Sequence, residues 1–243
     1  MSDSLPLTCQ LRSFRYPTEL VLILPTSRTL SNCPDRLMTE TDTTTRIGGW
    51  LFRHRTWLPL PAALAILTLR IGEAAPSPVL AGLGVGVTVL GELIRLWGVH
   101  HIGAISRTRS ERLGPLVAGG PFALIRNPLY IGNIGLWVGF ALTARLVWLA
   151  PVIFVLFALE YHAIVRWEET LLQSRLGQEY RAYAARVPRW LPTLRKTLKD
   201  SSTLSSVSTV VESFSWRATF FSERGTFVAI ALGYLVLWLK LRT

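Results

Sequence analysis

The chain has 243 residues, half of them hydrophobic, with nine Trp and only 17% charged, a composition too apolar for an ordinary water-soluble domain of this length. Its formal net charge of +11 would suit nucleic acid, but the basic residues neither gather into a tail nor interleave with a soluble aromatic platform, and that class is excluded. The sequence also lacks Cys/His metal spacing, a phosphate-cradling Gly loop and a Gly-x-Ser-x-Gly elbow, which leaves a polytopic membrane protein built of helices.

In chain order, residues 1–45 begin without a secretory signal of ordinary form, because the apolar piece at 20–24 stops at Pro25, too short for an h-region. Their Ser, Thr and Pro content reads as a disordered, solvated tail. In it Cys9 and Cys33 are expected as free thiols in preference to a disulfide, and Met38 offers an alternative start. Apolar segments follow at 58–71, 79–99, 129–143, 146–165 and 226–241. They read as about five spans, of which the second and fourth best match the ~20 residues that cross a bilayer.

Gly82, Gly84, Gly86 and Gly91 in the second span suit close helix packing. Glu92 and Arg95, three apart on one helix face, are expected to pair and to point into the bundle, serving either structure or substrate contact. His100 and His101 close that span, and Glu160 and His162 lie near the end of the fourth. The basic residues sit in loops: Arg46, Arg53 and Arg55 before the first span, Arg107, Arg109 and Arg112 after the second, and Arg166 to Lys199 after the fourth, with Arg145 alone between the third and fourth. The positive-inside rule then places the amino terminus and these loops in the cytoplasm and the carboxyl end outside. Lys240 and Arg242 fall on the wrong side, an objection to the last span. Leu204, Val207, Val211 and Phe214 recur at helical spacing, so residues 193–225 read either as a linker or as a helix lying on the membrane surface. The expected fold is an all-α polytopic membrane bundle: a tail over 1–45, a membrane domain over 46–192, the connection over 193–225 and a last transmembrane helix over 226–243.

The run from Gly120 to Asn133 carries the chemistry. It sets Arg126 among apolar segments, where a charge needs a partner or a task, and a backbone broken at a membrane entry lines a cavity rather than touching lipid. Pro128 removes a backbone donor and pushes Asn127 out of helical geometry, so the third span's helix is expected to begin near Leu129. Gly120-Pro121-Phe122 followed by Arg126-Asn127-Pro128-Leu129-Tyr130-Ile131-Gly132 resembles the motif of the isoprenylcysteine carboxyl methyltransferase family and its phospholipid methyltransferase relatives. A second block, Arg166-Trp167-Glu168-Glu169, then Leu176-Gly177-Gln178-Glu179-Tyr180, Tyr183 and Val187-Pro188-Arg189, is similar to that family's next motif in order and spacing. Together they cover residues 90–192.

The resemblance implies an integral-membrane methyltransferase that takes S-adenosylmethionine into a pocket on the cytoplasmic side and a lipophilic acceptor from the bilayer. Methyl transfer from a sulfonium is an in-line displacement in which positioning is most of the catalysis. Arg126 can fork a carboxylate of donor or acceptor, or can snorkel at a helix end. Asn127, where many relatives carry His, keeps hydrogen bonding and loses titration. Glu168 and Glu169 can take the donor's ammonium or ribose hydroxyls and favour a nearby sulfonium, or can be a solvated pair with Arg166 or Arg175. Arg126, Asn127 and Glu168 are the expected catalytic residues. The expected cofactor contacts are Leu116, Val117, Gly120, Pro121, Arg126, Asn127, Pro128, Tyr130, Gly132, Glu168, Glu169 and Tyr180, with Tyr183 either covering the pocket or packing its helix down. No metal is expected. A carboxylate acceptor needs no proton removed, whereas an amine does and no base is in view, which favours a carboxylate or another already nucleophilic group. Two alternatives stand beside this reading: a membrane reductase of the sterol type using reduced nicotinamide phosphate dinucleotide, and a non-catalytic lipid-binding or assembly subunit.

Overall fold

The structure is a computed structural model that describes residues 43–103, 116–192 and 215–242. Among them are eight helices and no strand: α1 Thr43–His54, α2 Leu60–Thr68, α3 Pro78–Ile102, α4 Pro121–Leu124, α5 Pro128–Thr143, α6 Leu149–Leu176, α7 Gln178–Arg186 and α8 Trp216–Arg242. The expected all-α bundle is what forms. Helices α3, α6 and α8 are long and apolar enough to cross a membrane, and α5 is apolar but shorter.

The first expected span is not one helix. Pro59 and Pro61 start α2 afresh after a turn, and its nine residues rise only about 13 Å, well short of the ~30 Å hydrocarbon core. The chain before it forms α1, which starts at Thr43 inside the expected tail and lays Gly48 and Gly49 against α6, where a side chain on Gly49 would meet the Trp167 indole at 2.9 Å. Residues 1–42, with Cys9, Cys33 and Met38, lie outside the described residues, as do Arg107, Arg109, Arg112 and the 204–214 helical spacing.

Helices α3 and α5 pack through their glycines. A Cβ on Gly91 would lie 2.7 Å from the Gly132 carbonyl oxygen and 3.0 Å from the Leu136 nitrogen, and one on Gly135 would lie 3.2 Å from the Gly91 Cα. Gly84 and Gly139 meet Thr143 and Thr88 in the same seam, while Gly82 and Gly86 face open space. This is the close approach that small residues allow between membrane helices.

The last helix begins at Trp216, ahead of the expected position 226. Arg217, Glu223 and Arg224 depress its hydropathy without breaking a helix, and Glu223, 2% exposed, is drawn inward to Arg95. Tyr234 of α8 donates to Thr88 of α3 at 2.7 Å. Lys240, the objection to this span, is buried: its Nζ donates to the carbonyls of Ile66 and Leu69 at 3.0 and 2.5 Å and lies 3.2 Å from Glu73 Oε1. It thus serves the unpaired carbonyls at the end of α2. Glu73 Oε2 takes Arg145 at 2.6 Å in the same cluster.

Candidate active site

At the other end of the bundle the two sequence blocks meet. Gly120, with φ +57°, turns the chain into α4, and a side chain there would collide with the His101 ring. Pro128 opens α5, and Asn127 ahead of it has φ −128°, ψ 53°, outside helical geometry, as a residue before proline must be. The break is held from the second block: the Arg126 amide donates to the Pro188 carbonyl at 2.9 Å, and Asn127 Nδ2 donates to the Arg189 carbonyl at 3.1 Å. Gly177, with φ +52°, separates α6 from α7. Helix α7 turns back so that the Tyr183 hydroxyl donates to the Phe122 carbonyl at 2.8 Å.

These contacts surround a cavity of about 990 Å³, at the upper end of the range for small-molecule sites. Leu116, Val117, Arg126, Asn127, Pro128, Tyr130, Glu168, Glu169 and Tyr180 all line it. Glu169 is the centre of its polar end. One of its oxygens lies 2.9 Å from Arg126 Nη1 and accepts from Arg189 Nε at 3.0 Å, and the other accepts from Arg189 Nη2 at 2.5 Å. The Tyr130 hydroxyl donates to Glu168 Oε1 at 2.9 Å while its ring stacks on Tyr161, centroids 4.7 Å apart. The adjacent glutamates, indistinguishable in sequence, are therefore separated: Glu169 pairs with two guanidinia and Glu168 with a phenol. The hydrogen bonds it donates to Glu169 hold the Arg189 guanidinium above its ordinary range. Burial, then Glu169, pushes the Tyr180 phenol up, and burial does the same to Tyr183.

The other expected residues fall elsewhere. Gly120 and Pro121 shape the turn behind the cavity without lining it. Gly132, expected to let the cofactor approach, instead faces α3, where its Cβ would lie 2.6 Å from Arg95 Cγ and from the Gly91 carbonyl oxygen; it serves helix packing. His100 stacks on Trp216 at 4.0 Å, and neither it nor His101, Glu160 or His162 lines the cavity. Sequence reasoning passed over several residues that do, namely Arg55, Phe122, Asn133, Trp137, Glu223 and Thr226. Arg55 was read only as a loop charge, and Phe122 and Asn133 only as members of the motif run, without a role in the site. Glu223 had no signal, because it fell in the stretch read as connection. Among the described residues no His/Cys/Asp/Glu group is placed to hold a metal.

The cavity is two-sided chemically. Above the arginines and glutamates it runs into an apolar arm walled by Ala63, Leu67, Trp137, Phe140, Ala229 and Ile230 from α2, α5 and α8. Such a shape can hold a charged molecule at one end and a hydrocarbon chain at the other.

The profile of the phospholipid methyltransferase family matches residues 79–179, which run from α3 into α7 and exclude α8. The chain is similar to the nickel-cobalt-cadmium resistance protein NccN of Alcaligenes xylosoxydans xylosoxydans, 31% identical over 157 residues that cover 65% of this chain and 69% of that protein. It is also similar to the cobalt-zinc-cadmium resistance protein CzcN of Cupriavidus metallidurans, 29% identical over 196 residues, 70% of this chain and 81% of that one. A short uncharacterized protein of Haemophilus influenzae shares 41% identity over 56 residues, 23% of this chain and 79% of its own.

Proposed function

The chain belongs to the phospholipid methyltransferase family, and from that premise we propose that it is a multi-pass membrane enzyme that uses S-adenosylmethionine to methylate a lipophilic acceptor, with its motif loops in the cytoplasm. The observation that carries this is the meeting of the Arg126-Asn127-Pro128 and Glu168-Glu169 blocks on one cavity whose other arm is apolar.

The residues fit the cofactor. Among the described residues two guanidinia share one carboxylate, Glu169, so that corner keeps an excess positive charge, and Arg126 Nε is buried with no hydrogen-bond partner among them. An anionic group such as the donor's carboxylate answers both. Arg126 is the fork for it, aimed by Glu169 and by the backbone bond to Pro188. Glu168, fixed by Tyr130, keeps acceptor capacity for an ammonium or ribose hydroxyls, and its carboxylate favours positive charge nearby. Asn127 is a positioning residue that gives one amide hydrogen to the Arg189 carbonyl and keeps its Oδ1 and second N–H at the cavity wall. When bound, the cofactor supplies a methyl group already activated by its sulfonium. The chain's own part is to hold donor and acceptor in line and to exclude water.

Calorimetric titration of the detergent-purified full chain with S-adenosylhomocysteine, beside reduced nicotinamide phosphate dinucleotide, tests this reading. Saturable binding of the first alone, lost in Glu168→Ala, is expected. Binding of only the second would make the protein a reductase, and binding of neither by a folded preparation would make it a non-catalytic subunit.

A further inference from the structure

The break in the first apolar stretch opens on the same cavity. Between the end of α1 at His54 and the start of α2 at Leu60 the chain turns, with the Trp57 and Leu58 amides donating to the His54 carbonyl at 2.8 and 3.3 Å. Arg55 and Thr56 of that turn line the cavity, which is where a broken backbone among apolar helices is tolerated. The Arg55 guanidinium lies over the Phe52 ring, 4.0 Å from its centroid. Among the described residues it donates no hydrogen bond and forms no ion pair. Its charge nevertheless acts on Glu168 and on the Tyr130 hydroxyl bound to Glu168, so cation and carboxylate lie within electrostatic reach on the wall of one cavity without touching. Glu168 meets Tyr130 through Oε1 at 2.9 Å, and its Oε2 accepts no hydrogen bond from the described residues. Arg55 precedes residue 79, where the family match begins.

We propose that Arg55 is a further cofactor-binding residue, and that with Glu168 it forms a subsite for the vicinal hydroxyls of the donor's ribose, so that Glu168 serves the diol and not the donor's ammonium. A hydroxyl pair carries both donors and acceptors. It can give a hydrogen to Glu168 and take one from Arg55, two charge-assisted bonds that answer both charges. An ammonium has donors only. Seated at Glu168 it would gain the carboxylate but stand near the Arg55 cation, and in a poorly solvated cavity that repulsion offsets much of the attraction. The donor's carboxylate meets the converse obstacle at Arg55, where Glu168 repels it, and is better placed at the corner where Arg126 and Arg189 share Glu169. The Phe52 ring steadies the guanidinium from one face without taking any of its N–H groups, which leaves them for a ligand. This inference rests on the methyltransferase reading.

The test titrates three ligands by calorimetry into the full chain in lipid nanodiscs: S-adenosylhomocysteine, its 2′,3′-dideoxyribose analogue, and its analogue with hydrogen in place of the α-amino group. Loss of the two hydroxyls is expected to weaken binding to the wild type by about a hundredfold, the worth of two hydrogen bonds to charged groups. In Arg55→Gln that factor should fall about tenfold, and in Arg55→Lys, which keeps the charge and loses the fork, a few-fold. Loss of the amino group should cost the same factor in wild type and in both variants. A merely structural Arg55 would weaken all three ligands alike and leave both factors unchanged, which overturns the proposal, as does a change confined to the amino factor. Arg55→Lys carries the test if Arg55→Gln does not fold. S-adenosylhomocysteine binding with an unmoved hydroxyl factor would sink the subsite alone, whereas no such binding by a folded wild type would sink the methyltransferase reading and the subsite with it.

Discussion

Replacing Arg126 by alanine separates a ligand-holding arginine from a structural one, because the structure bounds both costs. The variant loses the 2.9 Å contact with Glu169 and the 3.5 Å one with Tyr180. Glu169, however, keeps both bonds from Arg189, so no carboxylate is left bare. Arg126 and Glu169 are each 14% exposed, and for a pair that is neither fully buried nor the carboxylate's last partner the loss is about 1 kcal/mol. That lowers the midpoint of thermal unfolding by about 2–4 °C in a chain of this size. If Arg126 forks the donor's carboxylate, the variant also loses about 1.5–3 kcal/mol of binding, about ten- to hundred-fold in S-adenosylhomocysteine affinity. Arg126→Lys, which keeps the charge and loses the fork, should fall between. Calorimetry for affinity and a melting curve on the same preparations read the two terms. A lowered midpoint with unchanged affinity would refute the argument and make Arg126 a clamp for Glu169.

Four further outcomes follow from the packing and the contacts. Gly91→Leu should cost about 3 kcal/mol or more by forcing α3 off α5, read as loss of folded protein by size-exclusion chromatography. Gly82→Leu, with nothing within 4 Å, should stay within about 0.5 kcal/mol of wild type. Lys240→Met removes one of the two cations on Glu73 and should destabilise by about 2 kcal/mol, less than for a carboxylate stripped of its last partner because Arg145 remains, with S-adenosylhomocysteine affinity unchanged since that cluster lies at the far end of the bundle. Tyr180 has a folded-state pKa raised above its ordinary 10.0, so the folded protein keeps a proton that the unfolded chain has lost. The resulting stability is full below about pH 10 and falls as pH rises through the folded value. Tyr180→Phe should flatten that alkaline limb in melts taken from pH 8 to 11, and an unchanged slope would remove the phenol from the account.

Local rules made part of this protein legible. Proline acts on its immediate neighbour, so Asn127 and Pro128 marked the start of α5 to within one residue, Leu129 expected and Pro128 found. The spacing of the two motif blocks named nine residues that do line the cavity, since residues that meet one ligand must come in one order. Hydropathy found α3 and α6 because each is a long apolar run. The same average misled where polarity and backbone disagree: it joined residues 58–71 across the restart at Pro59, and it began the last helix late because Glu223 and its neighbours look like solvent. Gly132 was misassigned for a related reason, as a glycine's use depends on what stands opposite it, here Arg95.

The sequence by itself determined that the chain is helical and membrane-like, where its broken helix lies and which arginine and glutamates attend it, because these follow from composition and from interactions a few residues long. Only the tertiary structure decided which charge meets which. Glu169 rather than Glu168 takes the arginines, Glu223 reaches Arg95 from 128 residues away, and Lys240 closes the end of α2 across 174. Those pairings are imposed by packing, since a charge drawn into an apolar bundle must find whichever partner the neighbouring helices bring within reach.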